Sequence, residues 1–448
     1  MPSAFVQRIR AYLNKREDVR RIASNAGWLL SDRALRLLLT LLVSAWVARY
    51  LGAEQYGYIS IALAYLALAA PLLKLGLDTL VIRFLVEGET PPEVIMGTAF
   101  RLRLAAAALL LPLVVLLVAR LYPQNGIIAL LTAVLALGVL LESFDVIDFW
   151  FQSQLNSRYT VWSRNAAYLL TSAAKVAAVL AQAPLMVFGL LYLLDTLMYI
   201  AALGYAYRRV GGSARGWRWD AAVARRLLRL GMPLMLSAVA ISLYMRIDQL
   251  MLSLLMPEGQ GEAAVGVYAV AVRLSEAWYF VPAAVVSSVF PMILQTKKQD
   301  ERLYRKRVQR LFNMMVLVSY AFAIPTTLAA PWIIDVLFGP EYAQAAPQLA
   351  VLSWAGVWVA LGVARSSVLQ AENIFWFSVW ATVLGAVVNI VLNWVLIPPL
   401  GGLGCAAATF VSYGLSAFLS SFLFTNTRFL GIMQSQALVY PNPFQRQQ

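Results

Sequence analysis

The chain has no histidine and a single cysteine among its 448 residues, and only 13% of them are charged. Without imidazoles, and with one thiol, it lacks the soft ligand set of a zinc or copper site, and one cysteine cannot build a disulfide framework. No metal and no cofactor are expected. Soluble domains usually carry about 25% charged residues, so a fraction this low excludes an ordinary water-soluble fold. Also missing is a glycine-spaced Gly-Lys-Ser/Thr run to cradle nucleotide phosphates, which argues against direct ATP use. The N-terminus has no apolar core followed by a small-residue cleavage site, so no cleaved signal is expected.

What is present is hydrophobicity, at 61% of residues, together with a formal charge of +14. The basic residues sit in short loops between apolar runs rather than on one soluble face, so the charge points to membrane topology and not to nucleic acid. Apolar runs fall at 24–48, 58–86, 96–118, 127–151, 159–181, 185–207, 227–255, 265–294, 311–328, 349–369, 375–396 and 403–424. Each suffices to cross a bilayer, giving an all-α integral membrane protein of about twelve helices. Lys and Arg gather before the first helix, between the sixth and seventh, and between the eighth and ninth. The loops at 123–126, 182–184, 257–264, 331–347 and 398–402 contain none. Basic and neutral loops alternate, which places both termini in the cytoplasm.

Residues 5–22 interleave Phe5, Ile9, Leu13 and Val19 with Arg8, Arg10, Lys15, Arg16, Arg20 and Arg21. This is the pattern of a basic amphipathic helix on an anionic leaflet, or of a positive tail that fixes topology. The expected organisation is a basic segment at 1–22, a first lobe at 23–208, a cytoplasmic linker at 209–226, a second lobe at 227–428 and a tail at 429–448.

The two halves resemble each other. Gly57-Tyr58 with Pro71 parallels Gly266-Val267-Tyr268 with Pro282; Gln154 and Tyr159 parallel Gln370 and Phe375; Gly189 parallels Gly404. Six helices per half start both repeats on the same side, as in parallel-repeat transporters, whose substrate site lies near the midplane between repeats.

Charge inside the spans sharpens this. The first helix carries Asp32, Arg33 and Arg36, and each ionised group at that depth costs about 2.5–3.5 kcal/mol on insertion scales, so they are expected to face a wet interior. Asp32 with Arg36, Lys74 with Asp78, and Arg273 with Glu276 have the spacing to pair along one helix face. Arg33 and Arg246 lack such a partner, although an inter-helix salt bridge would serve Arg246. Arg365 lies near a helix end and is expected to snorkel. Glu142, Asp145 and Asp148 call for a partner such as Lys175. Trp278, Tyr279, Trp332 and Trp376 read as interfacial belts, and Asn389 with Asn393 as inter-helix hydrogen-bond partners.

The run Ala48-Arg49-Tyr50-Leu51-Gly52-Ala53-Glu54-Gln55-Tyr56-Gly57-Tyr58 resembles the bacterial polysaccharide flippases of the MOP superfamily. So do Arg246-Ile247-Asp248-Gln249, the run from Val265 to Glu276, and Phe338-Gly339-Pro340-Glu341-Tyr342 followed by Ala346-Pro347. The resemblance covers nearly the whole chain in order. It implies a MATE-like, V-shaped transporter fold of two six-helix lobes in the bacterial plasma membrane. That fold would move an undecaprenyl-pyrophosphate-linked oligosaccharide from the cytoplasmic to the outer leaflet, alongside polysaccharide polymerase or export proteins. The two further C-terminal helices usual in the lipid II branch are absent, which favours the polysaccharide branch. Arg suits such a substrate because its planar fork donates in pairs to phosphate oxygens. Arg33 and Arg246 are therefore the primary phosphate candidates, with Arg36, Lys74 and Arg273 secondary. Asp32, Asp78 and Asp248 are the candidate proton or sodium sites. The alternatives are a MATE-type drug or cation antiporter, which would prefer an acidic cavity, and a membrane polymerase or ligase, which would need a catalytic cluster. A transporter rather than an enzyme is expected.

Overall fold

The computed structural model describes the backbone of residues 3–297 and 299–442, with side chains at residue 37 and from residue 39 onward, except at 375. The surface helix expected at 5–22 and the candidates Asp32, Arg33 and Arg36 lie outside the described side chains. Residues 1–45 form one compact unit and 46–448 another. In the first, the described end is helical, and Ser44 Oγ donates to the Leu41 carbonyl. All that follows concerns the second.

The described residues are helical throughout, with no strand: α1 (Ser3–Lys74), α2 (Asp78–Glu87), α3 (Pro92–Leu121), α4 (Gly126–Leu141), α5 (Val146–Ser153), α6 (Arg158–Leu180) and α7 (Leu185–Arg209) precede the linker. After it come α8 (Ala221–Leu255), α9 (Gly261–Glu276), α10 (Phe280–Lys297), α11 (Glu301–Phe338), α12 (Ala345–Ala371), α13 (Phe375–Leu400), α14 (Gly402–Ala417) and α15 (Arg428–Val439). Ten spans among the described residues are long and apolar enough to cross a membrane. One of them, Leu39–Glu87, is 49 residues long, enough for two crossings at roughly 20 residues each. Helix α6 falls outside the ten because Arg158, Arg164 and Lys175 lower its hydropathy, yet its 23 residues span a bilayer. Counting the 49-residue span as two crossings and adding α6 gives twelve among the described residues.

Several runs break where continuous helices were expected. Leu75 and Gly76 both take positive φ, 55° and 66°, ending α1 and starting α2 afresh at Asp78. The 127–151 run is interrupted by a tighter turn at Glu142–Asp145, and the 265–294 run by the gap between α9 and α10. Conversely, α11 continues through Pro331 to Phe338, shortening the neutral connection expected at 331–347. The repeat is visible in the backbone: the α5–α6 turn has Leu155 at φ 56° where the α12–α13 turn has Asn373 at φ 60°, and the α6–α7 turn has Gln182 at φ 52° where α13–α14 has Gly401 at φ 55°.

Packing follows the repeats. Helices α3, α4, α6 and α7 pack among themselves, as do α9, α11, α12, α13 and α14. Leu80, Val81, Phe84, Met96, Phe149, Leu203 and Tyr207 sit in the first core; Ile293, Phe312, Met315, Leu361 and Val368 sit in the second. Helix α8 joins both, with Leu227 in the first core and its later turns against α9, α13 and α14. Residues after 428, expected as a tail, begin with α15. Its Leu430, Gly431, Gln434 and Ala437 are buried, and Tyr320 OH of α11 donates to the Leu438 carbonyl.

Candidate functional site

Between the second stretch of α1 and helices α7, α8 and α9 lies a cavity of about 420 Å³. Its wall includes Tyr56, Ser60, Tyr192, Arg246, Gln249, Arg273 and Glu276, with Ile59, Leu63, Ala64 and Val272 supplying apolar surface. The cavity exists because the facing helices present small residues here: Ala64, Ala67 and Ala269 leave room that longer side chains would fill.

Ion pairing at the wall differs from the in-helix pairing expected. Arg246 Nη2 lies 3.1 Å from Glu276 Oε2, so Glu276 goes to the neighbouring helix and not to Arg273 three residues before it. The inter-helix bridge considered for Arg246 therefore forms. Arg273 instead donates to Tyr56 OH at 2.9 Å and also bonds Tyr192. Among the described residues its partners are neutral phenols, and the described wall, with two arginines and one glutamate, is net cationic. Behind Tyr192, Lys175 is 9% exposed, with its ammonium 4.0 Å from the ring centroid. Sequence spacing could not reveal this group, because α6, α7 and α9 are far apart along the chain.

The remaining candidates lie elsewhere. Lys74 sits 3.7 Å from Glu142 and Asp78 accepts from Arg103 at 3.0 Å; the helix break at Leu75 and Gly76 removes the i,i+4 geometry on which their mutual pairing rested. Neither lines the central cavity. Arg103, at 2% exposure, also reaches Asp145 at 3.7 Å and the Glu142 carbonyl at 3.1 Å. Asp148 accepts from Thr160 at 2.7 Å and faces Arg164 at 3.9 Å. The acidic group thus finds Lys74, Arg103 and Arg164 instead of the expected Lys175. Arg365 does not snorkel: it is 3% exposed and donates to Ser420 and Ser421 at 2.8 and 3.2 Å, because the chain folds back over it after α14. Trp278 is likewise buried, stacked on Phe322 at 4.9 Å, whereas Trp332 and Trp376 are exposed as interfacial residues would be.

Asp248 is buried behind the wall, in α8. Its carboxylate accepts from Tyr268 at 2.5 Å and from Thr409 at 3.4 Å, and Gln249 N–H donates to it at 2.8 Å. Asn389 and Asn393 continue this polar seam, Asn393 donating to Asn389 at 2.9 Å and Asn389 to Ser412 at 3.2 Å.

At the end of the bundle carrying the neutral loops, the halves grip each other. Glu341 Oε1 accepts from Ala53 N–H at 2.6 Å, Tyr342 OH donates to the Ala48 carbonyl at 2.8 Å, and Arg49 donates to the Val336 carbonyl at 3.2 Å. Tyr342 lies outside the membrane spans; burial pushes its phenol well above the ordinary value, so it remains a donor.

Comparison with known proteins places this geometry in context. The chain is 25% identical over 396 residues to the probable low-salt glycan biosynthesis flippase Agl15 of Haloferax volcanii, covering 84% of this chain and 79% of that one. It is 29% identical over 162 residues to the probable flippase AglR of the same organism, covering 35% and 33%. In fold it is similar to an inward-facing multidrug resistance MATE family transporter of the MOP superfamily, with a TM-score of 0.69, 16% identity and coverage of 89% and 96%. It is also similar to the lipid II flippase MurJ in an inward closed conformation, with a TM-score of 0.66, 13% identity and coverage of 93% and 94%. The fold is therefore shared with these two solved structures. The family model described as polysaccharide biosynthesis protein matches residues 46–347, which is more than half of the 448 residues, and the chain belongs to that family.

Proposed function

We propose that this protein is a flippase for lipid-linked glycan, carrying an oligosaccharide on a polyprenyl carrier of the undecaprenyl-pyrophosphate kind from the cytoplasmic to the outer leaflet of the plasma membrane. The family match and the flippase names of its relatives support the general reading. The observation that carries the mechanism is Arg273, a cation in the wall of the central cavity whose described partners are neutral phenols. A pyrophosphate entering the cavity replaces two phenol contacts with charged, paired hydrogen bonds, which are about twice as strong as neutral ones. Tyr56 and Tyr192 then donate to the remaining phosphate oxygens, and Lys175 adds field from behind. Arg246 contributes once Glu276 turns away. Lys74 serves nearer the basic end, and Arg33 and Arg36 remain candidates from the sequence. Ser60 and Gln249 supply the hydroxyl and amide that varied sugars need.

The halves then rock about this site, with the basic loops and both termini in the cytoplasm. A proton or sodium ion drives the cycle through Asp248, buried at the joint of α8, α9 and α14; Asp78, held by Arg103, and Asp32 are the other candidates. Polysaccharide polymerase or export proteins take the product. A MATE-type antiporter of cationic drugs shares the fold, but the cationic wall opposes it. The test is complementation in a deletion strain. Wild type restores surface polysaccharide, Arg273→Ala leaves lipid-linked units stranded inside, and full rescue by Arg273→Ala would remove the proposed site.

A further inference from the structure

Parts of three sequence motifs that the transport chemistry does not use, residues 48–53, Gly266 and residues 340–342, converge at the neutral end of the bundle, and together they form a seam. Gly52, with φ 74° and ψ 170°, breaks α1. The break leaves Ala53 N–H at the start of a fresh helical stretch, where it has no acceptor of its own chain segment. Glu341, from the turn Pro340–Tyr342 in the other half, supplies that acceptor at 2.6 Å, a carboxylate at the positive end of a helix dipole. In return Arg49 binds the Val336 carbonyl in the last turn of α11, and Tyr342 binds Ala48. Each half therefore satisfies backbone groups that the other half's helix ends leave open.

The glycines beside this point allow no gap. A methyl group on Gly57 would lie 1.9 Å from the Glu262 carbonyl oxygen, and one on Gly266 would lie 1.9 Å from that of Ala53, so α1 and α9 touch through their backbones. Tyr122 OH and Ser253 Oγ add a further contact between the halves, 2.5 Å apart. The seam also connects to the cavity. Tyr56 precedes Gly57, and Arg273 lies about two turns along α9 from Gly266, so the Arg273–Tyr56 bond ties the same two helices together inside the wall.

We propose that this seam is the lock of the neutral-side gate, with Glu341 as its cross-half helix cap, and that it closes the cavity on that side until the halves part. The inference rests on the transport reading above. The lock has few bonds, and each is replaceable by water once the helices separate. Their number suits a gate that must open in every cycle, since switching between conformational states works through small free-energy differences.

The test uses the full chain in sealed proteoliposomes, with Ser60→Cys in the cavity as the reporter; Cys405 is fully buried and silent. A membrane-impermeant maleimide applied from the neutral side should label the introduced thiol slowly. Adding Glu341→Gln should raise the rate about tenfold, the equivalent of one charged hydrogen bond, and Tyr342→Phe should raise it by less. Both changes are conservative and leave the cores intact. Unchanged rates in both variants, with protein still folded by size exclusion, would overturn the lock. Farnesyl pyrophosphate separates the two readings: faster labelling in the lock variants with no response to this lipid keeps the lock and removes the anion site.

Discussion

Arg103 and Arg273 are both arginines on membrane helices, and their surroundings differ in kind. Arg103 has Asp78 at 3.0 Å, Asp145 at 3.7 Å and the Glu142 carbonyl at 3.1 Å, and its guanidinium lies 5.4 Å from the Phe149 ring centroid. Arg273 has two phenols and an open cavity. The first is a fully compensated charge, and such groups lock a bundle together while leaving no valence for a ligand. The second keeps its charge uncancelled by any described carboxylate, which is tolerable in a membrane only where water or an anionic ligand reaches it.

The largest expected effect comes from breaking the compensated set. Arg103→Leu leaves the mostly buried Asp145 carboxylate without its guanidinium partner and should cost about 3–5 kcal/mol, read as loss of monodisperse protein on size exclusion and a lower Tm in detergent. Arg273→Ala, by contrast, should leave folding intact and lower affinity for a prenyl pyrophosphate ten- to hundredfold, about 1.5–3 kcal/mol, measured by ligand-induced thermal shift. If both variants behave alike, the distinction between the two arginines is empty.

Intermediate effects concern the contact between the halves. Gly57→Ala must push α1 off α9, at about 1–3 kcal/mol of overpacking, and should be visible as a lower Tm together with faster neutral-side labelling of the cavity. The smallest effect sharpens the comparison within the cavity itself. Glu276→Gln releases Arg246 from a partly exposed ion pair worth about 0.2–1 kcal/mol, so anion affinity should rise a few-fold, whereas Glu276→Gln with Arg246→Ala should not show that gain. A fall in affinity for the single variant would show that Glu276 itself holds the ligand.

Much of the architecture was legible in the sequence because apolar length and loop charge act locally. Among the described residues the apolar runs fold as helices and the repeat is recognisable, although the 58–86, 127–151 and 265–294 runs break. Asn389 bonds Ser412 across helices as expected, whereas Asn393 bonds Asn389 along its own helix. The site was less legible, for a definite reason. Spacing along one helix predicted Arg273 with Glu276 and Lys74 with Asp78, but Glu276 lies closer to Arg246 of α8, and the Leu75–Gly76 break turns Asp78 toward Arg103. Pairing between helices depends on packing that a linear pattern does not contain. The same holds for Lys175, which reached Tyr192 and not the acidic group of α4 and α5. Arg365 went inside because the turn after α14 folds over it and supplies Ser420 and Ser421, and Trp278 because Phe322 of α11 stacks on it.

The most direct measurement is binding of a short prenyl pyrophosphate to the purified full chain, comparing wild type, Arg273→Lys, Arg273→Ala and Arg246→Ala. The account predicts strongest binding by wild type, partial retention with Lys, a loss of about tenfold or more with Arg273→Ala, and a smaller loss with Arg246→Ala. Equal binding by wild type and Arg273→Ala would contradict it.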